Sequence, residues 1–106
     1  NFMAAIGPDF RRGFVDPMPT SNADVGMTIA HLLGLSISAK GRLTGRVLSE
    51  GLRGGAPIAS TRRTITSPTS PTGFATTLLT QYADGETYFD AAGQPGRTVG
   101  LDATAK

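Results

Sequence analysis

Apolar residues fall along the chain in four differently patterned stretches. The first, Phe2-Met3-Ala4-Ala5-Ile6, is continuous and is closed by Gly7-Pro8, with no alternation of apolar and polar positions. A short unbroken apolar run bounded by Gly-Pro predicts a strand covered on both faces, as in a parallel or mixed sheet. In the exit loop, GPDFRRGFVDPMP, Phe10, Phe14 and Val15 can pack back while Arg11, Arg12 and Asp16 face water. Pro17 and Pro19 hold the chain extended there.

The second stretch, SNADVGMTIAHLLGL, has helical spacing: Val25, Ile29, Leu32 and Leu33 stand at i, i+4, i+7 and i+8 and make one apolar stripe. Ser21 or Asn22 supplies the N-cap, and Asp24 adds negative charge to the first turn. Gly34 stands where a left-handed residue ends a helix, with Leu35 as the following hydrophobic contact of a Schellman-type stop. The internal Gly26 marks a close approach to a neighbour. The third stretch, SISAKGRLTGRVLSEGLRGG, carries Leu43/Val47 and Leu48/Leu52 pairs four apart, which predict a short amphipathic helix around 44–52. A breaker-rich tract, STRRTITSPTSPTG, reads as a linker or surface loop over 60–73.

The fourth stretch, over 74–101, places two runs rich in Thr, Leu, Tyr and Phe on either side of Asp84-Gly85. This is the pattern of a β-hairpin with a tight turn. Residues 102–106 form a small polar tail expected to fray. The expected organisation is a strand, a capped helix and a short helix over 1–59, then the linker, the hairpin and the tail. The class is α/β or α+β, an incomplete domain whose opening strand needs neighbours. If the chain folds alone, a two-layer α+β arrangement results, with the hairpin offering an edge to that strand and helix 21–33 covering one face. Exposed strand edges then predict an oligomer, or tight association with a missing portion.

Composition sharpens this picture. The 106 residues allow at most one ordinary domain. Gly (14) and Pro (7) make up about a fifth of the chain, above the roughly 12% of average proteins, and predict much irregular backbone. The absence of Cys removes disulfides, thiolate metal sites and thiol nucleophiles. A net charge of +2 does not imply nucleic acid, because a phosphate-tracking surface needs several clustered cations. The acid-free basic stretch from Arg53 to Arg62-Arg63 reads as a solvated loop rather than an anion patch. No run is long and apolar enough to span a membrane. The start lacks the basic region and cleavage pattern of a signal peptide, so a targeting signal is expected to have been removed or to lie upstream.

The search for chemistry returns little. The single His31 has Met27, Thr28, Gly34 and Leu35 at three and four residues' distance, so no metal pair is completed. There is no G-x-S-x-G, and GRLTGR and GLRGG lack phosphate-loop spacing. Tyr82 and Tyr88 can stack on a ligand, but cross-strand packing accounts for them more simply.

FMAAIGPDFRRGF followed by SNADVGMTIAHLLGL resembles the closing strand, loop and helix of the alkaline phosphatase superfamily, which includes alkaline phosphatases, sulfatases and nucleotide pyrophosphatase/phosphodiesterases. GRLTGRVLSEGL resembles the short element that often follows. YFDAAGQPGRTVGL is similar to a C-terminal extension of bacterial phosphatase- and phosphodiesterase-like members. The resemblance rests on about the first 35 residues. It implies a parent enzyme with two divalent metals, usually zinc, held by Asp and His, and a Ser, Thr or formylglycine nucleophile. It also implies a periplasmic or secreted location. The last histidine ligand of that superfamily lies just before the closing strand, which here falls ahead of Asn1. No catalytic or metal-ligating role therefore transfers to any residue of this chain, substrate-binding residues stay unassigned, and His31 falls in the helix rather than at a ligand position.

Three functions compete. The first is a C-terminal fragment of a metal-dependent phosphoric ester hydrolase, inactive by itself and partnered by the missing N-terminal catalytic portion. The second is a stand-alone structural, oligomerisation or binding module of α+β type. The third is a weak polyanion binder using Arg53, Arg62 and Arg63. The preferred reading involves no nucleic acid and no membrane span.

Overall fold

The computed structural model describes residues 2–38, 40–42, 44–98 and 101. The fold is small and of α+β class: the described residues form one α-helix, α1 (Asn22–Leu32), and three strands, β1 (Ser60–Thr66), β2 (Thr77–Ala83) and β3 (Glu86–Gly93). It divides into two compact units, residues 1–59 and 60–106.

In the first unit, α1 begins and ends as its sequence dictates. Ser21, in extended backbone, is the N-cap and forms a capping box with Asp24. Asp24 Oδ2 accepts the Ser21 amide at 2.7 Å, which satisfies a donor that the helix itself leaves unpaired. At the other end Gly34 adopts φ +66°. Its amide donates to the His31 carbonyl (3.1 Å) and the Leu35 amide to the Ala30 carbonyl (2.8 Å), the paired bonds of a Schellman stop.

The face that α1 buries is not the expected one. Asp24, Thr28 and Ala30 are its buried residues, whereas Ile29 and Leu33 are exposed and Val25 and Leu32 only half-buried. The reason is what docks there. Residues 45–48 run along the helix, and their amides need acceptors: Asp24 Oδ1 takes the Arg46 amide (2.9 Å) and Thr28 Oγ1 the Leu48 amide (3.0 Å). Residues four apart on a helix stand about 6 Å apart along its axis, close to the span of about 6.6 Å for two residues of drawn-out chain. Alternate amides of 46–48 thus meet side chains one helical turn apart. The close approach assigned to Gly26 lies at Gly45 instead. Nothing comes within 4 Å of a Cβ built on Gly26, whereas one on Gly45 would stand 2.6 Å from the Ala23 carbonyl carbon.

The helix expected over 44–52 is absent; only Ser49–Gly51 closes a 3₁₀ turn. The amides of Arg46 and Leu48 are already used by α1, and Gly45 and Gly51 weaken any helix there. Leu48 and Leu52 are nevertheless both buried. Leu43, of the expected Leu43/Val47 pair, lies outside the described residues.

The opening run Phe2–Ile6 forms no strand, which corrects the expectation above. No neighbouring edge pairs with it, and Phe2 and Ile6 are 93% and 99% exposed. Pairing begins only at an isolated bridge between Phe10 and Leu52. It is flanked by the Arg53 amide donating to the Asp9 carbonyl (2.7 Å) and the Arg11 amide to the Gly51 carbonyl (3.0 Å).

The second unit is an antiparallel meander in the order β1-β2-β3. Asp84 and Gly85, at φ +46° and +87°, make the two-residue turn that joins Ala83 to Glu86. Between Leu79 and Thr80 the register shifts, so that Leu79 faces Ala91 while Thr80 faces Phe89, leaving Asp90 as a bulge. The linker expected over 60–73 is corrected at its first half: Thr61, Thr64, Ile65 and Thr66 are β-branched and pair as a strand before Pro68 and Pro71 end it. The remaining loop closes on itself, with the Ser67 amide donating to the Thr76 carbonyl (2.9 Å) and the Phe74 amide to Ser70 Oγ (3.1 Å). The expected frayed tail, 102–106, lies outside the described residues, as do Val99 and Gly100 at the end of the hairpin segment.

Candidate functional site

The most densely bonded group of ionisable side chains surrounds the 3₁₀ turn of the first unit. Glu50 is 2% exposed and receives both arms of the Arg46 guanidinium, at 2.9 Å to Oε2 and 2.6 Å to Oε1. Arg46 Nη2 also donates to the Pro19 carbonyl at 3.2 Å. Arg11 Nη1 donates to the Glu50 carbonyl at 3.1 Å, and its guanidinium carbon lies 4.2 Å from the centre of the Phe14 ring. Arg11, and through it Phe14, is thereby tied to the turn.

Asp16 reaches the same group. Burial is the main influence raising its carboxyl above the ordinary 3.8; the Glu50 charge and a hydrogen bond to Glu50 push the same way, against the Met18 amide, which donates to Oδ1 at 3.0 Å. Glu50 moves oppositely. Burial alone pushes it up, but the hydrogen bonds and charge of Arg46, with the bond from Asp16, hold it below its ordinary 4.5. The spacing of Arg46 and Glu50 is legible in the sequence, but their burial is not. The cluster is a sealed structural element: both partners are buried, and no buried side-chain nitrogen or oxygen among the described residues lacks a partner.

His31 is exposed on α1 and lines a shallow cleft of about 460 Å³ with Pro8, Asp9, Leu32, Leu52 and Arg53. One imidazole, one carboxylate and one guanidinium on an open surface make no nucleophile–base pair. Among the described residues no group of three His, Asp or Glu side chains converges as a metal ion would require. A second cleft of about 380 Å³ lies in the other unit between Phe74 and the turn Gln94–Arg97, where the Arg97 guanidinium carbon stands 5.6 Å from the Phe74 ring centre.

Arg62 and Arg63 sit side by side on β1 and so point to opposite faces of the sheet, while Arg53 belongs to the first unit. Tyr82 and Tyr88 are also on opposite faces: Tyr88 pairs with Gln81, the neighbour of Tyr82, and is buried, whereas Tyr82 is exposed. The residue that shares a face with Tyr82 is Phe89, which is exposed. Comparison with protein-family models, curated proteins and solved structures returned no match. No helix among the described residues is long and apolar enough to cross a membrane.

Proposed function

We propose that this chain is the non-catalytic C-terminal part of a metal-dependent phosphoric ester hydrolase of the alkaline phosphatase superfamily. In this reading its apolar opening run and its helix pack against a catalytic body that carries the nucleophile and two divalent metals, zinc by the habit of that superfamily, in the periplasm or outside the cell. The observation that carries the reading is the uncovered apolar surface of the first unit. Phe2, Met3, Ile6, Ile29, Leu33, Leu35 and Ile37 are exposed, while among the described residues of this unit Leu48 and Leu52 are the only large apolar side chains buried. The opening apolar run and the apolar side of a well-capped helix both lie exposed, as surfaces that pack against a larger body would.

The reading frame preceding the Asn1 codon tests this. It is expected to encode a Ser or Thr nucleophile and a set of Asp and His ligands; a frame without them overturns the proposal. The 106-residue chain alone, supplied with zinc, is expected to leave p-nitrophenyl phosphate and bis-p-nitrophenyl phosphate unhydrolysed. A second reading, a self-contained structural or oligomerisation module, draws on the complete pairing of buried side-chain polar atoms among the described residues. Cooperative unfolding of a monomer with no associated chain would favour it.

A further inference from the structure

β1 is bare on three sides. Among the described residues it pairs only with β2, and every residue from Thr61 to Thr66 is exposed, so no described residue covers either face or the outer edge. The register shows which backbone groups point outward. The Ser67 amide bonds the Thr76 carbonyl, and Thr80 Oγ1 donates to the Arg63 carbonyl at 3.3 Å, so the odd-numbered residues turn their backbone groups toward β2. In an antiparallel ladder the alternate residues then face away, which leaves the amides and carbonyls of Ser60, Arg62, Thr64 and Thr66 on the open edge.

Charge decides what such an edge accepts. Arg62 and Arg63 place one guanidinium on each face at the middle of the strand, and β1 has no acidic residue. Pairing with the β1 of a second copy is opposed, because the registers centred on Arg62 or Arg63 set arginine directly against arginine. The β3 edge of a second copy is interrupted by the bulge at Asp90, whose carboxylate is held by Gln81 Nε2 at 2.9 and 3.0 Å. We propose that the outer edge of β1 is a strand-addition site for an extended acidic segment of another protein. Backbone bonds to Arg62 and Thr64 supply the pairing, and two adjacent carboxylates, one on each face, meet Arg62 and Arg63. The same arginines that oppose self-pairing in those registers select the partner.

The probe is a fluorescein-labelled peptide, Thr-Val-Glu-Glu-Val-Thr-Val, titrated with the full chain and followed by anisotropy. Binding is expected to weaken on going from about 50 to 500 mM salt and to be absent for the peptide with Lys in place of Glu. Thr64→Pro removes an outward amide and leaves the β1–β2 ladder intact; it is expected to weaken binding by at least about tenfold. Thr66→Pro and the double change Arg62→Glu/Arg63→Glu are expected to act in the same direction, and carry the test should Thr64→Pro unfold.

Failure of the acidic peptide to bind would overturn the proposal. So would equal binding to folded Thr64→Pro, which would mean charge attraction without strand addition. Arginine-dependent binding of single-stranded oligothymidine that tolerates the proline changes would assign the arginines to a polyanion site instead. Self-association abolished by those changes would assign the edge to a second copy.

Discussion

Glu50 shows how little freedom a buried charge leaves. Its carboxylate and the Arg46 guanidinium satisfy each other out of reach of water, so removing either strands the other. Glu50→Ala is expected to cost about 3 to 5 kcal/mol of unfolding free energy in urea at neutral pH, because the guanidinium would remain buried without its counter-charge. The neighbouring carboxyls work against each other as pH changes. Glu50 is held below its ordinary range, so its contribution is present above the unfolded value near 4.5 and is lost as pH falls through the lowered native value. Asp16 is raised above 3.8, so its contribution is full below that value and lost as pH rises through the raised native one. Asp16→Asn keeps an acceptor for the Met18 amide and removes the charge. It should be more stable than the parent above the native Asp16 pKa and equal to it in stronger acid; equal stability at neutral pH would contradict this.

At the scale of elements, the two glycines near α1 have opposite roles. Gly45→Ala forces a methyl group into the Ala23 peptide and is expected to destabilise by about 1 to 3 kcal/mol. Gly26→Ala meets open space in a helix interior and should stabilise by about 0.5 to 1 kcal/mol. Thermal melts of both variants check the pair. The same elements show what is legible in a sequence and what is not. The ends of α1 and the turn of the hairpin are readable because capping and left-handed backbone demand particular residues, here Ser21, Asp24, Gly34 and Asp84-Gly85. The buried face of α1 is not, because periodicity weighs apolar side chains, and here Asp24 and Thr28 are buried to receive amides from a segment twenty residues away. Arg46 and Glu50 carry helical spacing on a chain that has given its amides to another element. β1 is masked by the serines and prolines that follow it, although its own residues are good strand formers. The β1 edge is harder still, since it is marked by absent pairing, which no local pattern announces.

At the scale of the whole molecule, twelve large apolar side chains are exposed among the described residues, while the buried ones are Leu48, Leu52, Tyr88 and Leu101, with Ala30 and Ala83. Surface of that kind drives association. The isolated chain is expected to gain mass with concentration in light scattering. Phe2→Asp/Ile6→Asp should suppress that gain while changing stability by less than about 0.5 kcal/mol, because both side chains already lie in solvent. A parent chain that stays at the mass of one copy at all concentrations would speak against this surface being an interface.

Asp24 belongs to two structures at once. One carboxylate oxygen closes the first turn of α1 and the other holds the Arg46 amide. The helix therefore cannot fray at its start without releasing the Arg46 amide, and residues 45–46 cannot lift without disturbing the cap. In amide hydrogen exchange the Arg46 and Leu48 protons, which belong to no helix or strand, should be lost no faster than those of the first helical turn. A short irregular segment thus inherits the kinetic protection of a helix through two side chains one turn apart, Asp24 and Thr28.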